Sequence, residues 1–113
     1  MRKDSEFHDY VLYDLLDDDP RITSRKMFGG YGLYQDRIIF GIIADDTLYF
    51  KVDDSNREEY YARGSKPFRY HNGKKETTMS YWEVPEEIME NRELLSEWIE
   101  TSTDISRKAK KLA

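Results

Sequence analysis

The apolar residues of the N-terminal segment recur at the spacing of an amphipathic helix. The residues that share its apolar face are Phe7, Tyr10, Val11, Leu12, Leu15 and Leu16. Asp17-Asp18-Asp19 and then Pro20 interrupt the pattern, and the residue before a proline avoids the α region. The pattern therefore predicts a first helix over residues 5–16.

Beyond this helix the apolar residues alternate every two positions, which is typical of β-strands. The alternation predicts strands over residues 38–44 and 48–52, with Asp45-Asp46 as a two-residue hairpin turn. Two short strands are predicted upstream, at residues 26–28 and 31–34, and a turn at 35–37 follows them. Together these segments predict a meander of three or four antiparallel strands.

The second half predicts a short helix, a hairpin and a final helical region. Ser55 and Glu58 have the spacing of a capping box, and Gly64 ends the short helix. Residues 68–70 and 77–84 predict the hairpin, with Asn72-Gly73 in its turn. Pro85 begins the last helical region at its first position, and Asn91 caps a second segment there.

The predicted order is helix, three or four strands, helix, two strands, helix. The short connections favour antiparallel pairing and a sheet of about five or six strands. With helices over one face, the arrangement is a two-layer α+β domain. The length of 113 residues suits a single domain over residues 1–113.

The composition narrows the classes of function. The chain has no cysteine, which excludes disulfides and thiolate sites and fits a reducing cytoplasm. No apolar run approaches the roughly 18 residues of a membrane helix, and the charged N-terminus does not resemble a secretory signal. We therefore expect a cytoplasmic protein without membrane association. A net charge of −5 disfavours non-specific nucleic-acid binding by the whole surface.

The glycine-rich run over residues 25–34 (RKMFGGYGLY) is the most distinctive segment. A phosphate loop would lead into a helix, but here a strand follows and the dinucleotide fingerprint is absent. A bulge or tight bend is the favoured interpretation. The alternative is a ligand or partner surface, because Arg25, Lys26 and Tyr31 flank the glycines.

A second dense segment contains Tyr81 and Trp82, which face opposite sides of a strand. A packing role is favoured for both, and a stacking platform is the alternative for one of them. The candidate ligand or partner surface comprises Arg25, Lys26, Gly29, Gly30, Tyr31, Lys51, Tyr81 and Trp82.

Basic residues gather in the second hairpin and in the C-terminal segment, where residues 104–113 carry four basic residues and one acidic residue. The candidate nucleic-acid contacts are Arg69, Lys74, Lys75, Lys108, Lys110 and Lys111. A solvated surface is the favoured interpretation of these residues.

No set of residues predicts catalysis. The acidic pairs have simpler roles as a helix stop, a hairpin turn and the approach to a helix cap. His8 and His71 have no metal-like partner at a useful spacing. The sequence therefore predicts no catalytic residue, no metal site and no cofactor, and hence a protein that is not an enzyme.

Four blocks in order resemble the TfoX N-terminal domain family. They are residues 25–34, residues 48–53 (LYFKVD), residues 64–68 (GSKPF) and residues 79–85 (MSYWEVP). The resemblance covers about residues 5–105 and implies a two-layer α+β domain. It also implies a link to TfoX, a bacterial regulator of natural competence that works with the cyclic-AMP receptor protein. The chain stops where the helical C-terminal domain of full TfoX proteins begins, so we expect a stand-alone N-terminal domain.

The predicted function is a non-enzymatic regulatory or protein-interaction module. The edges of a small sheet are open to pairing with another chain, so a protein partner or self-association as a homodimer is expected. Two alternatives remain: direct nucleic-acid binding through the basic face, and small-ligand binding near the glycine-rich run.

Overall fold

The computed structural model describes residues 4–27 and 29–112, without the side chains of residues 4, 5, 70–72, 111 and 112. The elements in chain order are α1 (Asp4–Asp9), a π-helical segment (Tyr10–Leu15), β1 (Ile22–Met27), β2 (Gly30–Gln35), β3 (Ile38–Ala44), β4 (Thr47–Lys51), α2 (Arg57–Ala62), β5 (Pro67–Asn72), β6 (Lys75–Glu83), α3 (Glu86–Met89) and α4 (Arg92–Leu112).

The strands form one antiparallel sheet in the order β1-β2-β3-β4-β6-β5. The prediction of an α+β fold with a sheet of about five or six strands is confirmed, and the sheet has six. The meander of β1 to β4 pairs neighbours along the chain. The second hairpin then joins the sheet through β6, which pairs with β4 and leaves β5 at the edge.

The turns of the meander follow the predicted positions. Asp45 and Asp46 both have positive φ, 49° and 57°, which is the geometry of a tight hairpin whose twist matches the strands. Asp36 and Arg37 adopt the same region, with φ of 49° and 72°. The turn of the second hairpin lies one residue later than predicted, because Asn72 still pairs with Lys75.

The N-terminal helix changes type midway. α1 continues as a π-helical segment from Tyr10 to Leu15, and the N–H of Leu16 donates to the carbonyl of Val11, five residues earlier. Phe7 and Val11 remain buried, so the predicted apolar face is preserved. A π-helical turn cannot be distinguished from an α-helical one by apolar spacing over two turns.

The capping box predicted at Ser55 and Glu58 is wrong. α2 begins at Arg57 with Asn56 at its N-cap, so Ser55 lies outside the helix. The Asp53 carboxylate instead accepts hydrogen bonds from the N–H and the hydroxyl of Ser55, at 2.8 and 2.5 Å. At the other end, the N–H groups of Gly64 and Ser65 bond back to α2, which ends the helix as predicted.

The last helical region is divided as predicted at Asn91. Pro85 is the N-cap of α3, one position before its predicted place. The Asn91 Oδ1 accepts a hydrogen bond from the N–H of Leu94 at 3.1 Å, which caps α4.

The core lies between the helices and one face of the sheet. α4 packs on β3 and β4, and α1 packs on β3. The largest fully buried apolar side chains are Tyr60, Phe40, Phe50, Leu33, Ile43, Ile88 and Val11. Ser102 on α4 donates a hydrogen bond to the carbonyl of Lys51 at 2.8 Å, which fixes α4 along β4.

Candidate functional site

The face of the sheet that points away from the helices is also apolar. Paired residues of antiparallel strands share a face, and their neighbours point to the other side. Leu33, Ile43 and Phe50 point to the helices and are buried. Ile42 and Tyr49 therefore point to the opposite face, which we call the open face.

A cavity of about 430 Å³ lies on the open face. Six side chains form most of its apolar lining: Met27, Ile39, Ile42, Phe68, Met79 and Tyr81. We call this cavity the open-face groove. Its volume is within the range of small-ligand and peptide pockets in proteins.

We infer that the sheet is curved from the residues that line the groove. Met27 in β1 and Met79 in β6 line the same cavity although three strands lie between them. Four intervals of about 4.8 Å would separate these strands by about 19 Å in a flat sheet. The register shifts between Leu33 and Tyr34, and between Pro67 and Arg69, are irregularities of the kind that bend strands.

The glycine-rich run forms one wall of the groove. A Cβ on Gly30 would overlap the carbonyl oxygen of Ile43, so only glycine allows β2 to lie this close to β3. A Cβ on Gly32 would lie 3.0 Å from the Met27 methyl carbon. The Met27 side chain therefore lies across the glycine, and the run serves a tight turn and close strand packing.

One half-buried cation lies beside the groove. The Lys51 ammonium donates a hydrogen bond to the Ser80 hydroxyl at 2.6 Å and lies 5.2 Å from the centre of the Tyr81 ring. Among the residues that the structure describes, no carboxylate lies within 4 Å of the Lys51 nitrogen. Its two neighbours are thus a neutral hydroxyl and an aromatic face.

The tyrosines of the open face are partly removed from water. Tyr81 is 9% exposed, and burial raises the pKa of its phenol, with a smaller contribution from Tyr34. Burial also raises the pKa of Tyr49, and the nearby Glu83 carboxylate adds to this effect. The Tyr49 and Phe68 rings pack with their centres 5.0 Å apart. This aromatic packing supports the groove from the β5–β6 side.

The family model of the TfoX N-terminal domain matches residues 14–105. The chain belongs to the TfoX N-terminal domain family. All four sequence blocks that resembled the family lie inside the match, so that prediction is confirmed. The match includes every strand of the sheet, and the open-face groove is thus part of the TfoX N-terminal domain. A comparison with curated proteins finds no match.

The structure brings some of the predicted surface residues of this TfoX N-terminal domain together. Tyr81 lines the open-face groove, Lys51 lies beside it, and Arg25 points to the same face from the edge strand. Gly29 has φ of 76° in the turn between β1 and β2.

Three of the predicted surface residues lie elsewhere. Tyr31 pairs with Ile43, and its ring stacks on His8 on the helical side of the sheet. Lys26 is exposed on the opposite side of β1 from Arg25. Trp82 pairs with Phe50, so it points to the helical layer, where it is half-buried against the core. Phe28, which belongs to the glycine-rich run, lies outside the described residues.

The candidate nucleic-acid contacts form two exposed groups. Lys74 and Lys75 lie at the tip of the β5–β6 hairpin, and Arg69 pairs with Glu76 at 3.5 Å. Lys108 and Lys110 are exposed near the end of α4. The side chains of His71 and Lys111 lie outside the described residues.

These two basic groups lie toward the same end of the sheet. The hairpin extends past Lys51, the last residue of β4 to pair with β6. Lys108 is close enough to Asp53, just beyond that point, to lower the pKa of its carboxyl.

His8 joins Ser24 and Asp9 in a short hydrogen-bonded chain. Its ring nitrogens lie 2.7 Å from the Ser24 hydroxyl and 3.0 Å from the Asp9 carboxylate. The order matches a nucleophile, a base and an acid. However, Ser24 points to the helical side of β1, away from the groove, and Tyr31 stacks on the His8 ring at 4.1 Å. We therefore assign these contacts to holding α1 on the sheet.

Sequence reasoning missed Met27, Ile39, Ile42, Phe68 and Met79 as groove residues. A signal was present in residues 38–43 (IIFGII), where apolar side chains occupy both faces of one strand. A continuous apolar run is typical of a strand that is covered on both sides. Here one side is covered by helices and the other lines the groove.

Two further properties of the described chain concern ligands and membranes. No three His, Cys, Asp or Glu side chains within residues 4–27 and 29–112 are grouped as metal ligands. None of the helices there combines the length and the apolar character needed to cross a bilayer.

Proposed function

We propose that this TfoX N-terminal domain is a non-enzymatic regulatory module that binds an apolar segment of a partner protein in the open-face groove. Apolar patches that remain exposed on a folded domain are typical of protein-interaction sites. Ile39, Ile42 and Phe68 are only half-buried, so an occupant would remove further apolar surface from water.

The observation that carries the proposal is an apolar cavity of about 430 Å³ that is lined by residues from β1 to β6. The two methionines at opposite sides of the cavity add support to the proposal. Methionine has a flexible, polarisable side chain that adapts to different apolar partners, and it is frequent at peptide-binding surfaces. A groove with Met27 and Met79 at its sides suits a peptide better than a ligand of fixed shape.

The proposal is tested by panning a phage library of random 12-residue peptides on the purified domain. Ile42→Asp places a charge on the groove floor and is expected to abolish enrichment. Thr78→Asp places the same charge at an exposed position on the other side of β6 and should leave enrichment unchanged. Met79→Glu repeats the groove test if circular dichroism shows that Ile42→Asp does not fold.

Two results would contradict the proposal. One is that no peptide family is enriched on the natural sequence. The other is that the folded groove variants enrich the same peptides as Thr78→Asp does.

Self-association is part of the same proposal. β1 is an edge strand of six residues, and one row of its backbone groups has no partner strand within the described sheet. Such an edge favours pairing with a strand of another chain. Sedimentation velocity over a hundredfold range of concentration tests this, and a single monomer peak throughout would exclude a homodimer.

A further inference from the structure

We infer that the segment bound in the open-face groove is acidic as well as apolar, with a carboxylate that pairs with Lys51. This inference rests on the proposed function and names the chemistry of the partner. Two independent observations support it: the environment of Lys51, and the distribution of charge over the open face.

Lys51 is a half-buried cation whose ammonium has neutral neighbours. Its nitrogen is bonded to the Ser80 hydroxyl at 2.6 Å, and the Tyr81 ring covers another side. A partly desolvated charge gains more from an opposite charge than a fully solvated one does, because the surrounding dielectric is lower. A carboxylate on the occupant would supply the anion that is absent among the described neighbours of this nitrogen.

The open face has the opposite sign of charge to the chain as a whole. The register and alternation of the strands place three basic side chains on it, Arg25, Lys51 and Lys75, and one acidic side chain, Glu83. The Asp45 carboxylate in the β3–β4 turn also lies close enough to Tyr49 to raise the pKa of its phenol, so the basic groups exceed the acidic ones by one. The chain itself has a net charge of −5. A basic face on an acidic protein attracts partners that carry acidic groups.

The geometry also indicates the position of the acid in the bound segment. Tyr81 lines the groove, and the Lys51 nitrogen lies 5.2 Å from its ring centre. A carboxylate therefore reaches Lys51 from a residue next to the apolar side chains that fill the groove. Arg25, two residues from Met27 on the same side of β1, is placed to meet a second acid.

The test begins with the sequences of the peptides enriched by panning. One enriched peptide is then synthesised as found and with each Asp or Glu replaced by Asn or Gln. Their dissociation constants are measured by fluorescence anisotropy on the natural sequence, Lys51→Gln, Lys51→Glu and the control Lys26→Gln. Lys26 carries the same charge on the opposite side of the edge strand.

We expect Lys51→Gln to weaken the binding of the acidic peptide about tenfold, as for the loss of a partly buried ion pair. The binding of the amide peptide, in which Asn or Gln replaces the acid, should stay unchanged. Lys51→Glu should bind the amide peptide more tightly than the acidic one, and Lys26→Gln should behave like the natural sequence. Raised salt should weaken only the acidic peptide.

Four outcomes would overturn the inference. If apolar peptides are enriched without acids, or if Lys51→Gln weakens both peptides equally, the groove binds peptides but does not select charge. If a dimer of the natural sequence dissociates in Lys51→Gln, the occupant is a second copy. If no peptide is enriched at all, the proposed function itself fails.

Discussion

Replacing the glycines of the β1–β2 turn one at a time distinguishes a packing role from a ligand-binding role. Gly29→Ala and Gly30→Ala change adjacent residues by the same single methyl group. Gly29 has φ of 76°, and no atom lies within 4 Å of the position that its Cβ would occupy. At Gly30 the added Cβ would overlap the carbonyl oxygen of Ile43.

The two substitutions have different expected costs. At Gly29 an alanine in the left-handed backbone conformation destabilises the folded state by about 1–2 kcal/mol. The same alanine lowers the conformational entropy of the unfolded chain, which stabilises the fold by roughly 0.4–1 kcal/mol. The net loss of stability is therefore about 1 kcal/mol. At Gly30 overpacking costs about 1–3 kcal/mol or more. The upper end applies, because Ile43 is paired with Tyr31 in the sheet and its carbonyl cannot move without shifting β2 against β3.

The free energy of unfolding is measured by urea titration, followed through the fluorescence of Trp82 and Trp98. Gly64→Ala is the matched control, since Gly64 has the same φ of 76° and open space around it, but lies at the end of α2. We expect Gly29→Ala and Gly64→Ala to lose similar stability and Gly30→Ala to lose about 2 kcal/mol more.

Equal stability of Gly30→Ala and Gly29→Ala would refute the argument from close strand packing. An increase in the urea midpoint of the natural sequence with millimolar phosphate, absent in Gly29→Ala, would instead support an anion-binding loop.

Two further predictions concern the pH dependence of folding. Hydrogen bonds from Ser55 lower the pKa of the Asp53 carboxyl, so its contribution is present above the unfolded pKa of about 4 and is lost as the pH falls through the folded pKa. The stability difference between the natural sequence and Asp53→Asn should therefore shrink between about pH 5 and pH 2, and a difference independent of pH would contradict this. Burial raises the pKa of Tyr81, so its contribution is present below the unfolded pKa of about 10 and is lost as the pH rises through the folded pKa. Urea titrations from about pH 8 to pH 11 should show a shallower decline for Tyr81→Phe than for the natural sequence, and identical slopes would disprove the assignment.

The meander was predictable from the sequence because its determinants are local. Asp45-Asp46 stands between two alternating segments, and neighbouring strands joined by two residues pair almost without alternative. The division of the last helical region was predictable for the same reason, since Asn91 caps a helix three residues away.

The order of the sheet and the shape of the groove depend on contacts distant in sequence. No local sequence pattern near Tyr81 predicts that β6 pairs with β4 and leaves β5 at the edge. The curvature arises from register shifts, such as the one beside Tyr34, that are defined only once two strands have paired. The cap of α2 was missed because Asp53 competes with Ser55 through a local turn of comparable strength.

The central position of β3 in the sheet protects an aggregation-prone segment. Residues 38–43 are apolar throughout and rich in β-branched side chains, a composition that readily assembles into amyloid-like fibrils when exposed. In the native fold residues 38, 39 and 41–43 pair with β2, and residues 41–43 also pair with β4. A mutation or modification that detaches β2 or β4 exposes an unpaired, apolar edge of β3. We therefore expect such a change to cause aggregation in the cell and not only a loss of binding.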